Sequence, residues 1–292
     1  MIIGSDGFWM WLPTRRSISP PKSWPGLRSG TTAARQHVAP RAPLDPTGET
    51  TVFRSAATEF DASLAPAPPA WSSKREGLAA EWRTVLQVPR LAAATPQLLR
   101  APRGDRPVIL IPGWKSPEAP MAPLRSWLSW LGHDARHWGL GINHGDPGGD
   151  AERLAPKVAE LADHAGQPVA LVGWSLGGVI AREVARARPE LVARVITYGT
   201  PVIGGPVHTI AAADWSEEER HRMAARLRRH DAENPIRTPI TAILTRRDHI
   251  VAWQAQLDHT SPDVRHVEVD STHLSMGIDP DVWLTVAGEL AT

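Results

Sequence analysis

The pattern of apolar and polar positions changes near residue 106. Beyond it, apolar runs of strand length alternate with longer amphipathic stretches of helical period. The predicted strands are residues 108–111, 135–140, 169–172, 192–198, 240–245 and 264–269. The predicted helices are residues 122–131, 150–164, 178–188 and 280–290. This alternation predicts an α/β fold with a mostly parallel central sheet and helices on both faces.

The first 105 residues follow a different pattern. Residues 1–70 are rich in proline and have no periodic apolar positions, so they bury too little surface to offset the entropy of ordering, and we expect disorder. Residues 71–105 are predicted to form a helical lead-in, in which Trp82, Val85 and Leu86 share one face with Leu78 and Pro89 marks a break. We expect this lead-in to pack against the domain formed by residues 106–292, or to shield its edge.

The alternation is interrupted between residues 201 and 239. This stretch opens with glycines 204 and 205 and contains a predicted helix that begins near Ser216. Ser216 and Glu219 have the spacing of a capping box, in which each side chain bonds to the other residue's backbone N–H. An insertion at this place is predicted to form a short helical cap above the carboxyl ends of the strands.

Composition narrows the classes of function. The 292 residues carry a net charge of +1, with 32 basic and 31 acidic residues, so we expect no nucleic-acid partner. The absence of cysteine excludes disulfides, thiolate chemistry and cysteine-ligated metals. No apolar run approaches the roughly 18 residues of a membrane span, so no integral membrane segment is predicted. The N-terminus lacks the pattern of a secretory signal, which favours the cytoplasm. The oligomeric state stays open.

A G-x-S-x-G motif at residues 173–177 lies between the predicted strand 169–172 and the predicted helix 178–188. A serine between a strand and a helix is typical of a nucleophile elbow, where a strained turn lifts the hydroxyl above the sheet. The motif alone is a weak signal in a chain with 23 glycines. Its setting makes Ser175 the predicted nucleophile.

An acid and a base follow in the order that this arrangement requires. A serine hydroxyl needs an imidazole to accept its proton, and the imidazole needs a carboxylate to orient it. Asp248 and His273 each follow a predicted strand, at the carboxyl ends where open parallel sheets present their sites. We predict them as acid and base. Other candidates are less well placed along their strands: Asp263, Asp270, His249, His259 and His266.

Two backbone N–H groups are predicted to form an oxyanion hole. One belongs to Leu176, the residue after the nucleophile, and the other to the loop after the first strong strand. That loop contains Pro112 and Gly113 followed by Trp114, so the Trp114 N–H is the predicted donor, with Lys115 as the second choice.

The remaining candidates are tryptophans and one polar loop. Trp114, Trp174, Trp215 and Trp253 are predicted near the active-site loops or the cap, and we expect two of them to line an apolar pocket. Core positions are predicted for Trp82, Trp127 and Trp130. His144 and Asp146 have coordinating side chains on a glycine-rich loop, but two ligands make a weak metal site. We expect no metal and no cofactor.

From about residue 106 onward the chain resembles the serine-nucleophile α/β-hydrolase superfamily, most closely its small bacterial lipase- or esterase-like members. The residues that carry this resemblance are 113–114, 173–178, 198–201, 245–248 and 271–273. One departure is Pro112 before Gly113, where many members have histidine. The resemblance implies an α/β-hydrolase fold and cleavage of a small-molecule carboxylic ester through an acyl-serine. The tryptophans predicted near the site favour an apolar acyl group. A thioesterase or acyltransferase with the same triad, or a non-catalytic binding module, stays open.

Overall fold

The computed structural model describes residues 52–54, 81–213 and 215–292, so most of the predicted disordered segment lies outside the described residues. The described residues form one seven-stranded sheet with strand order β1-β7-β6-β5-β4-β2-β3. Its strands are β1 Val52–Arg54, β2 Pro107–Ile111, β3 Asp134–His137, β4 Val169–Trp174, β5 Val192–Tyr198, β6 Ile240–Leu244 and β7 Val264–Glu268. Strands β2 to β7 are parallel, and β1 pairs antiparallel with β7 at the edge. Strand β1 is not among the strands predicted from the sequence.

Seven helices accompany the sheet in this part of the chain. They are α1 Gln87–Ala93, α2 Thr95–Leu99, α3 Ala122–Trp130, α4 Pro147–Ala165, α5 Leu176–Ala187, α6 Glu217–Glu233 and α7 Pro280–Leu290. Each predicted strand and helix beyond residue 106 is present, with ends that differ by a few residues. Helix α4 begins three residues before the predicted start because Asp146 caps it, with Oδ1 accepting the Gly149 N–H at 3.1 Å.

The two faces of the sheet bury separate apolar cores. On one face, Leu110 and Val172 pack with residues of α3 and α7. On the other, Ile109 and Leu171 pack with residues of α4 and α5. Successive side chains of a strand point to opposite faces, so a strand covered on both sides must be apolar at every position. This explains the continuous apolar runs in the sequence.

The order of the strands reverses beside β2. The chain passes from β2 to β3 on one side and then to β4 on the other side of β2. The loops that leave β2 and β4 therefore diverge and open a crevice at the carboxyl ends of these strands, which is where ligands bind in open α/β sheets. This crevice lies between residues 112–116 and the turn at Ser175.

The first turns of the lead-in meet the domain through polar positions, whereas Leu98 and Ala101 near its end are buried in the core of the domain. A 3-10 helix at Glu81–Leu86 precedes α1, and both Glu81 and Gln87 are buried. Trp82 and Val85, on the predicted apolar face, are 61% and 69% exposed, and Leu78 of the same face lies outside the described residues. Pro89 does not break the helix because it lies in the first turn of α1, where a backbone N–H has no intrahelical partner.

The cap between β5 and β6 consists of two short 3-10 helices followed by α6. The predicted capping box is confirmed, because the Glu219 N–H donates to Ser216 Oγ at 3.3 Å and the Ser216 N–H donates to Glu219 Oε2 at 2.7 Å. Helix α6 is held on α5 by an ion pair between Arg186 and Asp231 at 2.6 Å.

Two of the three tryptophans predicted for the core are on the surface. Trp127 is partly buried and its ring centroid lies 5.4 Å from that of Trp283. Trp130 is 46% exposed and its ring is covered by the Arg103 guanidinium, while Trp82 is exposed as described above. Helical spacing marked all three positions but could not show which helix face meets the sheet.

The architecture is the α/β-hydrolase fold, with helices on both faces of a mostly parallel sheet and a short helical cap. No helix within the described ranges is long and apolar enough to cross a bilayer.

Candidate active site

Ser175 occupies the sharp turn between β4 and α5. Its φ of 53° and ψ of −122° lie outside the regions that residues with a Cβ normally adopt. Two hydrogen bonds hold the turn: the Ser175 N–H donates to the Tyr198 carbonyl and Thr200 Oγ1 donates to the Ser175 carbonyl, both at 2.9 Å. Strained backbone of this kind persists only where the surrounding structure holds it, and it commonly marks functional turns.

The two outer glycines of the motif are required by close packing. A Cβ on Gly173 would overlap the backbone of Gly178, at the start of α5. A Cβ on Gly177 would overlap the Ile111 carbonyl at the end of β2. The strand, the turn and the helix therefore approach one another at distances that only glycine permits.

Asp248 and His273 are in direct contact. His273 Nδ1 lies 2.6 Å from Asp248 Oδ2. The same carboxylate accepts three further hydrogen bonds, from the backbone N–H groups of Ile250 and Val251 to Oδ1 and from Gln256 Nε2 to Oδ2. Because all of its acceptor positions are used, the carboxylate has one orientation and fixes that of the imidazole.

The pKa of His273 is raised above its usual value near 6.5, although the ring is buried. Burial alone would lower this pKa because it disfavours the charged form. The negative charge of Asp248 and its hydrogen bond to the ring outweigh burial, and the charge of Glu81 acts in the same direction. A stabilised imidazolium suits a residue that must hold a proton during a reaction.

Ser175 and His273 open onto one cavity of about 450 Å³ beneath the cap. Three of the four predicted pocket tryptophans line it: Trp114, Trp174 and Trp215. Trp253 packs instead against the Arg246 guanidinium, 4.3 Å from its ring centroid and outside this cavity. The rest of the lining is largely apolar and comes from the cap and from the loops after β2, β6 and β7, including Pro201, Pro206, Ile210, Ile250, Val251 and Leu274.

The loop after β2 is fixed by Asn143, which is fully buried. Asn143 Nδ2 donates to the Pro112 carbonyl at 2.8 Å, and the Asn143 carbonyl accepts the Lys115 N–H at 2.7 Å. The Lys115 N–H is therefore already committed, which removes Lys115 as the second choice for the oxyanion donor. Lys115 also has a φ of 56°, so this loop, like the turn at Ser175, is held in strained geometry.

Trp114 lines the cavity, and the residue before it, Gly113, lies close to the Ser175 Cβ. Leu176, the other predicted donor, is the first residue of α5 and also lines the cavity. First-turn N–H groups have no partner within their own helix and carry the positive end of its dipole. One predicted donor thus follows β2 and the other follows β4, on the two sides of the crevice.

The competing acid Asp270 and the competing base His266 have partners outside the cavity. Asp270 is exposed and pairs with Arg247 at 2.7 Å. His266 is buried and its Nε2 accepts the Asp258 N–H at 2.9 Å, within the sheet and away from the cavity. In the polar loop, Asp146 caps α4 as described above. Over the residues described, no group of three or more histidine, cysteine, aspartate or glutamate side chains has the geometry to bind a metal.

Three residues that build this site were not predicted from the sequence. Asn143 directly precedes the polar loop of His144 and Asp146, and the other two are Gln256 and Glu81. Gln256 lies on a short 3-10 helix and Glu81 lies 192 residues before its partner His273. Neither has a periodic or motif signal, because the contacts are made only when distant loops come together.

No family model matches the chain. Structurally similar chains include the lipase BlEst2 of Bacillus licheniformis in its mature form, at 18% sequence identity and a TM-score of 0.47, over 64% of this chain and 92% of that chain. Another is the alpha/beta hydrolase domain-containing protein 10 from mouse, at 20% identity and a TM-score of 0.44, over 63% and 87%. A third is described as one of the metagenome-derived lipolytic enzymes LipS and LipT, at 15% identity and a TM-score of 0.48, over 65% and 94%.

Proposed function

We propose that the protein is a serine hydrolase that cleaves carboxylic esters of small molecules through an acyl-serine intermediate. One observation carries this proposal. The strained Ser175 turn and His273, which is hydrogen-bonded to the buried Asp248, line the same apolar cavity. A binding module has no need of an oriented imidazole beside a strained serine, so this combination favours catalysis.

In the proposed reaction, Ser175 Oγ attacks the ester carbonyl while His273 Nε2 accepts the hydroxyl proton. Asp248 holds the imidazole through Nδ1 and stabilises its positive charge. The Leu176 and Trp114 N–H groups stabilise the negative oxygen of the tetrahedral intermediate. His273 then donates its proton to the leaving alcohol, and the acyl group remains on Ser175.

Deacylation repeats these steps with water in place of serine. His273 accepts a proton from water, whose oxygen attacks the acyl carbonyl, and returns a proton to Ser175 Oγ as the carboxylic acid leaves. Each half-reaction balances with the residues named and needs neither a metal nor a redox cofactor.

An apolar acyl group is the proposed substrate feature because indole and aliphatic side chains dominate the cavity. We expect Trp114→Ala and Trp215→Ala to move the preferred acyl length of p-nitrophenyl esters towards longer chains, because each exchange lengthens the apolar space. The ratio of kcat/KM between octanoate and acetate esters should change by at least about tenfold. Trp130→Ala, on an exposed face of α3, is the control. An unchanged ratio in both cavity variants would refute the apolar acyl site.

The role of the loop after β2 can be tested through Asn143. Asn143→Ala leaves the buried Pro112 carbonyl without its partner and frees the segment that contains the Trp114 N–H. We expect kcat to fall by about 10²-fold with little change in KM, since the donor acts on the transition state. Asn234→Ala, at the end of α6, is the matched control and should retain full activity. Equal loss of kcat in both variants would contradict the assignment.

The proposal is tested by labelling the wild-type protein with a fluorophosphonate and measuring its intact mass. One adduct is expected, because these probes react with serines that a base activates. A well-folded protein that acquires no adduct would refute the proposal and favour the binding module. Comparison of oxygen esters with matched thioesters, and of water with added alcohols, then separates esterase from thioesterase and acyltransferase.

A further inference from the structure

Glu81 lies outside the predicted hydrolase domain but reaches both loops that carry the acid and the base. Its carboxylate accepts the backbone N–H groups of His273 and Leu274, at 3.3 and 2.8 Å. It also accepts the N–H of His249, the residue after Asp248, at 3.3 Å. One buried side chain thus joins the two loops whose spacing sets the Asp248–His273 contact.

We propose that Glu81 is a positioning residue for the base, so that the helical lead-in completes the active site. This inference rests on the proposed function of Ser175 and His273. Glu81 acts through the backbone of His273 and touches no reacting atom. It also puts a second carboxylate near the imidazole, where a positive charge forms during the reaction.

The segment around Glu81 is anchored on the same region by further contacts. Thr84 Oγ1 lies 3.4 Å from Ser275 Oγ, and Gln87 Nε2 donates to Ser271 Oγ at 3.4 Å. Arg90 forms an ion pair with the buried Asp279 at 2.8 Å. These contacts flank His273 on both sides in sequence. They explain why Glu81 and Gln87 are buried while Trp82 and Val85 are exposed.

A carboxylate suits this position better than an amide. Both oxygens of Glu81 face N–H donors, so the amide of a glutamine would oppose at least one backbone N–H with its own NH2 group. Glutamine has nearly the same size and keeps one acceptor. The exchange Glu81→Gln therefore removes the charge and one hydrogen bond with little change in packing.

The charge of Glu81 has a separate consequence for pH dependence. The charged groups that act on His273 are Asp248 and Glu81, and both raise its pKa. His273 must be neutral to accept the proton of Ser175, so reactivity rises with pH through this pKa. Loss of the Glu81 charge should lower the pKa and move the midpoint of the rise to lower pH.

The test is the rate of fluorophosphonate labelling of the full chain as a function of pH. For Glu81→Gln we expect a rate about 10- to 100-fold below wild type at the plateau, because the imidazole is displaced, and a midpoint at lower pH. Glu289→Gln is the matched control: Glu289 is also buried and pairs with Arg194 and Arg265, which lie near the amino ends of β5 and β7, at the sheet edge opposite the site. It should lose thermal stability but keep the wild-type rate and midpoint.

The outcomes separate this inference from the function on which it rests. A wild type without an adduct refutes the function itself. A labelled wild type with the same rate and midpoint in Glu81→Gln refutes the role of Glu81 alone. If Glu81→Gln does not fold, Glu81→Asp provides the test, since it keeps the charge but is one methylene shorter. A labelling rate at least tenfold below wild type with an unchanged midpoint supports the role of Glu81. A wild-type rate overturns it.

Discussion

Ser175→Ala should abolish the fluorophosphonate adduct and reduce ester hydrolysis by about 10⁴- to 10⁶-fold. The exchange removes one oxygen atom and leaves the Cβ, so the hydrogen bonds that hold the turn, which involve the backbone and Thr200, remain possible. Fold and thermal stability should therefore match the wild type. Intact-mass spectrometry and the rate of p-nitrophenyl ester hydrolysis measure the two effects.

A surface serine provides the control for this result. Ser126 lies exposed on α3, and Ser126→Ala should keep both the adduct and the full rate of hydrolysis. An adduct that persists in Ser175→Ala would assign the reactive nucleophile to another residue. Loss of the adduct with hydrolysis unchanged would mean that the ester is cleaved at a different site, and the proposed mechanism would fail.

The sequence predicted those parts of the fold that depend on local patterns. Continuous apolar runs marked the buried strands, and Ser216 with Glu219 marked the start of the cap helix. Gly173 and Gly177 marked a turn that only glycine permits. The chain order of Ser175, Asp248 and His273 could also be read in advance, because each follows a recognisable strand.

The parts that the sequence did not predict depend on contacts between distant segments. The first turns of the lead-in have a clear apolar face, yet Glu81 and Gln87 are the buried residues. They are buried because they form hydrogen bonds with backbone N–H groups and a hydroxyl of the domain. Periodicity records only which residues share a face. It cannot show which face packs against the domain. For the same reason it did not show that Trp130 is exposed or that Asn143 fixes the loop after β2.

Asp248→Asn should lower kcat by about 10³- to 10⁴-fold while the fold stays intact. The two backbone N–H groups of Ile250 and Val251 both point at Oδ1, so the amide oxygen of asparagine must take that place. The NH2 group then replaces Oδ2 and faces His273 Nδ1. The ring must accept there and carry its proton on Nε2, where it can no longer accept the proton of Ser175.

Gln256 makes this outcome structurally feasible. Its Nε2 donates to Asp248 Oδ2 at 2.8 Å, and its Oε1 has no hydrogen-bond partner within the described part of the chain. Rotation of the Gln256 amide would present that oxygen to the new NH2 group, so the variant can satisfy its buried polar atoms without unfolding. We therefore expect a large loss of rate with a small change in thermal stability, a combination that a merely structural role of Asp248 would not give.

Asp270→Asn is the matched control for this prediction, because the same exchange is made at a competing acid. Asp270 is exposed, and its direct ion pair with Arg247 lies on the surface, where such pairs contribute little, so its loss should change neither kcat nor the pH dependence. If Asp270→Asn were the inactive variant and Asp248→Asn the active one, the assignment of the acid would be reversed. Full activity in both variants would mean that neither aspartate orients His273, and the contact at 2.6 Å would have no part in catalysis.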